Sequence, residues 1–305
     1  MALDVSALTA YTDEISSGLA KAIVLGANTI KGDLVTKKFG VLGGTYKLNY
    51  VKSTMVGTNA LCNNTDAGST IMAQGSITMC PITFPQTICL DTLKGYWYDF
   101  EMERAYDTES LGSFREVFTA NKLESIAIEL DKIIWQGNTS TGSANLALCN
   151  GFLKTATDLT GEITLTRATM SAANSVAYVD SILALVPAEI LDKVQLYLSP
   201  VDFQAYLSGL RALNLFAYDT QSQGVKKLHH PGSIGMTVHS VDGLAGALSG
   251  SFIATAKENI VLAFGGNDDM SYNEWYSLDT QSFKINSKTK LGTGFYFPEL
   301  VVRSA

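Results

Sequence analysis

A chain of 305 residues with 46% hydrophobic and 17% charged side chains is long enough for one large core or two modest ones. Its net charge of −7 supplies no basic field to recruit nucleic acid or an anionic membrane. The most apolar windows are broken by Asp, Lys or Gly short of membrane-spanning length, and Asp4, Asp13 and Glu14 stand where a signal peptide needs positive charge, so neither insertion nor export is expected. The low charged fraction leaves much uncharged surface, which suits a protein covered by partners.

In chain order, Asp4 to Leu25 reads as a helix with Leu8, Ile15, Leu19 and Ile23 on one side and Gly26 at its end. It precedes any core and is predicted to lie as an arm over another surface. From Lys38 to Leu90 the pattern turns extended. Val41–Val51 and Ser76–Phe84 read as the two strands of a ribbon, with a polar tip around Cys62, Asn63, Asp66 and Gly68. Pro81 and Pro85 would each remove a ladder donor from a central strand, whereas a two-stranded ribbon is all edge and tolerates them. A lone ribbon is marginal in water, so it must lie on its own domain or on a neighbouring subunit. That makes Lys47, Lys52, Cys62, Asn63, Asp66, Pro81 and Pro85 candidate assembly contacts.

A helix from Leu90 to about Arg104 carries Tyr96-Trp97-Tyr98. Basic residues are not interleaved with these rings, so a core or inter-subunit contact is favoured over base stacking. Ser110 to Gly137 then reads as one long amphipathic helix. Leu111, Phe114, Phe118, Leu123, Ile126, Leu130, Ile133 and Ile134 form its apolar stripe, Ser110 caps its start and Gly137 its end. At 1.5 Å per residue it is roughly 40 Å long. A rod of that length without chemistry suits a building block, and Trp97 and Trp135 are further candidate inter-subunit contacts. After a Ser/Thr/Asn/Gly loop, helices and strands alternate between Thr166 and Leu262. They include a helix over Val176–Leu185, a strand over Lys193–Leu198 and a helix begun by Ser199-Pro200. Strands follow at Met236–Val241, Phe252–Ala256 and Ile260–Phe264, and a strand-rich tail runs from Tyr272 to Arg303.

No catalytic, cofactor or metal constellation emerges. His229 and His230 adjoin Lys226-Lys227 in what reads as a solvated loop, without the thiol or carboxylate spacing of a metal site. Cys149 with His239 could be a nucleophile and base, but no local signature surrounds that cysteine. The four cysteines show no CxxC spacing and are expected as free buried thiols; Cys80 and Cys89 could pair if the strand between them folded back.

The order of parts is arm helix, long ribbon, long helix ending in Gly, α+β insertion and returning strands. The local runs are Leu123 to Gly137, Asn145-Leu146, Asn150-Gly151-Phe152-Leu153, Leu198-Ser199-Pro200-Val201-Asp202-Phe203, Gly250-Ser251-Phe252 and Phe297 to Val302. Together they resemble the major capsid proteins of tailed double-stranded DNA phages, the Hong Kong 97 capsid fold. The resemblance implies an α+β chain with an N-arm over 1–35 and an extended β-hairpin loop over 36–90. It implies a peripheral domain with a long spine helix over 91–165 and 265–305, and an axial α+β domain over 166–264. The function it implies is structural: self-assembly through pentamers and hexamers into an icosahedral shell that encloses double-stranded DNA without sequence-specific binding. Assembly would take place in the host cytoplasm and the product would be the virion capsid, with scaffolding, portal and decoration proteins as partners. Many relatives carry a protease-removed scaffolding region ahead of the arm; this chain starts close to the arm, so scaffolding is expected from a separate protein or not at all. Some relatives join a loop lysine covalently to an asparagine of a neighbour. Lys47, Lys52 and Asn286 occupy roughly those places, yet ribbon lysines ordinarily serve as solvating charges, and a shell held non-covalently is predicted. Two rival readings are an encapsulin-like compartment, whose extended loop is usually shorter, and a cysteine hydrolase, which lacks a motif here.

Overall fold

The computed structural model describes residues 28–41, 43–57, 68–89, 114–214, 226–266, 269–277, 279–280 and 282–305. The predicted arm helix over 4–25, the helix with Trp97, and the ribbon tip with Cys62, Asn63 and Asp66 lie outside these residues. The described elements begin with a single turn, α1 (Asn28–Lys31), and the strands β1 (Thr36–Val41), β2 (Thr45–Thr54), β3 (Ser69–Thr78) and β4 (Cys80–Cys89). Next come α2 (Phe114–Gln136), α3 (Phe152–Thr157), β5 (Ile163–Leu165), α4 (Ser175–Leu185), β6 (Val194–Leu198) and α5 (Pro200–Ala212). The chain closes with β7 (Lys227–His229), β8 (Thr237–Ser240), β9 (Ile253–Ala256), β10 (Ile260–Gly265), β11 (Ser271–Ser277), β12 (Ser282–Phe295) and β13 (Val302–Ser304).

These strands form a five-stranded sheet, a six-stranded sheet and a two-stranded ribbon. The 14-residue β12 organises the first sheet. One of its edges takes β10 and then β11, the other takes β4, and β1 runs parallel to β10. Along β10 every residue is buried, as its unbroken run Ile-Val-Leu-Ala-Phe requires. Ile260, Leu262 and Phe264 face the core shared with α2, while Val261 and Ala263 face the root of the ribbon. The six-stranded sheet has the order β5-β13-β9-β6-β8-β7, so the last strand of the chain lies in it beside β9. Its strands contribute Leu196, Leu198 and Ala254 to a core with α4 and α5, and Tyr197 and Ile253 to the core that holds α2.

The helix α2 is 23 residues long, about 34 Å at the usual rise. Leu130, Ile133 and Ile134 are fully buried, as the stripe predicts, whereas Ile126 and Leu123 are only half-buried. Gly137 ends it for a different reason from the one predicted. Its φ is not positive; a Cβ there would come 2.2 Å from the Cys149 carbonyl oxygen. Glycine lets the following loop close onto the helix end.

Two expectations are corrected here. The run Ser76–Phe84 is not one ribbon strand. It breaks at Met79, and β4 leaves the ribbon to pair with β12, Pro81 opposite Lys290 and Pro85 opposite Asn286. The prolines still sit on an edge strand, but of the five-stranded sheet; four residues apart, they lack a donor on the same side. The switch follows from packing, because Met79 is buried against the ribbon root and Ile82 against the main core. Two of the four cysteines are not free thiols either. Cys80 and Cys149 form a disulfide, with Cα atoms 5.6 Å apart, a separation such bonds span without strain on the backbone.

Candidate assembly surface

The ribbon pairs β2 with β3 over ten matched positions, from Thr45 opposite Thr78 to Thr54 opposite Ser69. Directly opposed residues share a face. One face therefore carries Tyr46/Ile77, Leu48/Gly75, Tyr50/Ala73 and Lys52/Ile71. It lies on the chain's own body at the root, where Leu48 and Ile77 are 2% and 1% exposed against Val261, Ala263 and Tyr296. Gly292 and Gly294 of β12 make that approach feasible, since a Cβ at either would come within 2.6 Å of Ile77 side-chain carbons. Further out the support thins. Tyr50 meets Phe297 edge-on at 5.2 Å, and Lys52 Nζ reaches Glu299 Oε2 at 2.7 Å. Then the body ends while the face continues: Ile71, opposite Lys52, is 58% exposed.

The other face is polar, with Lys47/Ser76, Asn49/Gln74 and Ser53/Thr70, and its amide and hydroxyl pairs bond across the strands at 2.6 and 2.8 Å. Its one apolar spot is the Val51/Met72 pair, exposed on both strands. No sequence reading singled out Val51, Met55, Ile71 or Met72. For Ile71 the available signal was the period-two alternation within 45–54 and 69–78; Val51 and Met72 are apolar exceptions on the polar half.

Of the other predicted contacts, Lys47, Pro81 and Pro85 are exposed. Lys52, half-exposed, is paired with Glu299. Trp135 is corrected. It is 0% exposed, packed at a tilt between Phe152 and Tyr197 at 5.1 and 5.0 Å, with its Nε1–H donated to Thr29 Oγ1 at 2.6 Å. Such a side chain joins the two sheets of one subunit and reaches no neighbour.

Cys149 is bonded to Cys80, so the Cys149–His239 pairing lacks a free thiol. His230, expected in a solvated loop, is buried: its Nδ1 lies 2.7 Å from the Tyr206 hydroxyl and its Nε2 2.8 Å from Asp180 Oδ1. Asp131 is buried on α2, its Oδ1 accepting from the Thr29 amide at 3.1 Å. Burial raises its pKa above the ordinary carboxylate value, the nearby Asp242 adds to this, and the bonds from Thr29 and Gly243 oppose it. Among the described residues no group of three or more His, Cys, Asp or Glu could hold a metal ion, and no helix is long and apolar enough to cross a membrane.

By sequence, no protein-family model and no curated protein matches the chain. By structure, the matches are extensive. A chain of the satellite phage P4 procapsid that includes the size determination protein superposes with a TM-score of 0.57 at 8% identity, over 94% of this chain and 98% of that one. A chain of Mycobacterium phage Che8 does so at 0.54 and 14% identity, over 86% and 85%. The fold is that of phage capsid proteins. A virus-like particle from Pyrococcus furiosus shares the capsid fold at a TM-score of 0.55 and 10% identity, over 97% and 99%. The resemblance read from the order of the elements therefore holds at the level of the fold. The mixed α+β architecture matches phage capsid folds.

Proposed function

We propose that this chain is the major capsid protein of a tailed double-stranded DNA phage, self-assembling through pentamers and hexamers into an icosahedral shell. The observation that carries the reading is the ribbon's apolar face, buried at its root and exposed where the subunit's own body ends. Such a face is completed by a neighbouring copy, and the phage capsid fold supports that occupant. In this reading residues 1–35 are the arm and 36–90 the extended loop, with β1 and β4 as its roots in the peripheral sheet. Residues 91–165 and 265–305 form the peripheral domain, with α2 as its spine, and 166–264 the axial domain, whose sheet β5 and β13 complete. The shell would enclose DNA without reading its sequence, since the net charge of −7 offers no adhesive field. Scaffolding, portal and decoration proteins would be its partners where they are used, and assembly would take place in the host cytoplasm.

A second reading, a protein compartment, is favoured by the likeness to the Pyrococcus furiosus particle. Electron microscopy of the purified protein tests both, with closed shells expected; monodisperse monomers at high concentration would overturn them together. The contents of native particles separate the two: double-stranded DNA supports the phage capsid, and a protein cargo without nucleic acid supports the compartment.

A further inference from the structure

The Cys80–Cys149 bond joins two places that the backbone already holds together. Cys80 stands opposite Leu291 in the β4–β12 ladder, and Cys149 Sγ lies 3.8 Å from the carbonyl oxygen of that same Leu291. The ladder runs the whole length of β4 and needs no help from the sulfurs. On the other side, the loop that carries Cys149 is drawn back onto the end of α2, the Gly151 amide donating to the Gly137 carbonyl at 2.8 Å. With Cα atoms 5.6 Å apart, the two cysteines stand within bonding reach whether or not the bond is made. The chain can therefore fold with both thiols reduced and close the bond later without moving its backbone.

The two cysteines differ in access. Cys149 is 1% exposed, whereas Cys80 is only partly buried against the main core. Thiol–disulfide exchange starts where a thiolate can reach an outside disulfide, so the more accessible cysteine reacts first and its buried neighbour completes the bond. The compartment sets the timing. A reducing cytosol keeps thiols free, and the assembly proposed above takes place there. A particle released from the cell has left that reductant behind.

We propose that Cys80 and Cys149 form an oxidation-timed lock, reduced while the chain folds and assembles and closed afterwards by a small disulfide such as oxidised glutathione. The Cys80 thiolate attacks one sulfur of the oxidant, and one glutathione leaves with the electron pair of the broken S–S bond. The Cys149 thiolate then attacks Cys80 Sγ and displaces the second glutathione. The cysteine pair loses two electrons, the oxidant is reduced to two glutathione thiols, and the protons given up by the cysteines end on them. Closing the lock fixes the chain at the break beside Met79, where the ribbon hands over to β4. The timing rests on the assembly reading; the order in which the two cysteines react does not.

Full-length protein made in a reducing bacterial cytosol tests it. Cells are quenched in acid, free thiols are alkylated, and the linked Cys80–Cys149 peptide is measured by mass spectrometry. The measurement is repeated after the native protein has been exposed to oxidised glutathione. A small minority of chains linked in the cell and most of them linked after oxidation is the expected result. In Cys149→Ser, glutathione should remain on Cys80 as a stable mixed disulfide, whereas Cys80→Ser should leave Cys149 unmodified. Should either variant not fold, the time course of the unsubstituted chain decides, with the adduct on Cys80 appearing before the linked peptide. A majority of chains already linked in the cell, no linkage after oxidation, or a first adduct on Cys149 would overturn the proposal. Absence of shells would overturn the assembly reading alone, because the peptides are measured on whatever species the chain forms.

Discussion

Breaking the Cys80–Cys149 bond is the perturbation whose size follows most directly from the structure. The bond spans 69 positions of sequence. On the chain-entropy relation, closing a loop of that length removes about 15 cal/mol/K from the unfolded chain, or about 4 kcal/mol at room temperature. That is a large share of the roughly 5–15 kcal/mol by which domains are stable. The bond also ties the first residue of β4 to the loop behind α2, beside Leu291 of β12, whose carbonyl lies 3.8 Å from Cys149 Sγ. Reduction should therefore loosen the place where the ribbon joins the sheet as well as freeing the unfolded chain. Urea unfolding of the subunit, followed by the fluorescence of the buried Trp135, would be compared with and without a phosphine reductant. With a slope of about 3 kcal/mol per molar urea, the midpoint should fall by about 1.5 M on reduction. Coincident transitions would refute the reasoning. So would four reactive thiols titrated in non-reducing denaturant, since the chain has four cysteines in all.

Three further outcomes are expected. Leu130→Ala, at a fully buried position on α2, should cost about 2–5 kcal/mol by chemical denaturation; a loss under about 0.5 kcal/mol would mean the site collapses or is not core. Asp131→Asn should alter the pH dependence of stability. Because burial raises the folded pKa of Asp131, its favourable contribution is full below the unfolded pKa and is lost as pH rises through the folded one. The asparagine variant should therefore gain on the native protein as pH rises above about 4, the ordinary carboxylate value, and a difference in urea midpoints that does not move with pH would contradict this. Ile71→Glu should leave circular dichroism and subunit stability nearly unchanged while sedimentation shows assembly reduced, because its side chain projects past its own body; normal shells from this variant would remove the ribbon face from the assembly contacts.

What the sequence disclosed is largely what is local. Ser199-Pro200 reads as a helix start because capping needs only neighbours, and Ser199 Oγ indeed accepts from the Asp202 amide at 3.1 Å. The unbroken apolar run of β10 reads as a strand buried on both sides because no other element of that length would hide it. What stayed hidden depends on partners distant in the chain. The Cys80–Cys149 pairing exists because β12 carries β4 to the end of α2, which no spacing encodes. Trp135 read as an inter-subunit contact, whereas its indole N–H is satisfied by Thr29, 106 residues earlier. The break of the ribbon at Met79 is invisible locally, since extended backbone runs almost unbroken from Ser69 to Cys89 and only a change of partner marks the boundary. His239 lay in a predicted strand and was weighed only against Cys149; its burial shows only once the sheet sets its ring against Tyr197, 42 residues earlier.

The two faces of the ribbon also bear on how strongly copies of this chain can hold one another. The outward face bonds across its own strands through Asn49 and Gln74 and through Ser53 and Thr70, shows Lys47 to solvent, and confines its apolar surface within the paired strands to Val51 and Met72. The inward face leaves Ile71 uncovered, and hiding the exposed part of such a side chain is worth about 1–2 kcal/mol. Alone, that would give a millimolar contact or weaker after the entropy of association is subtracted. A subunit held by several such contacts at once binds far more tightly than any one of them allows, and a misplaced subunit that satisfies only one leaves again. A partly covered apolar stripe is thus better suited to a closed shell than a fully exposed one, which would aggregate before it assembled.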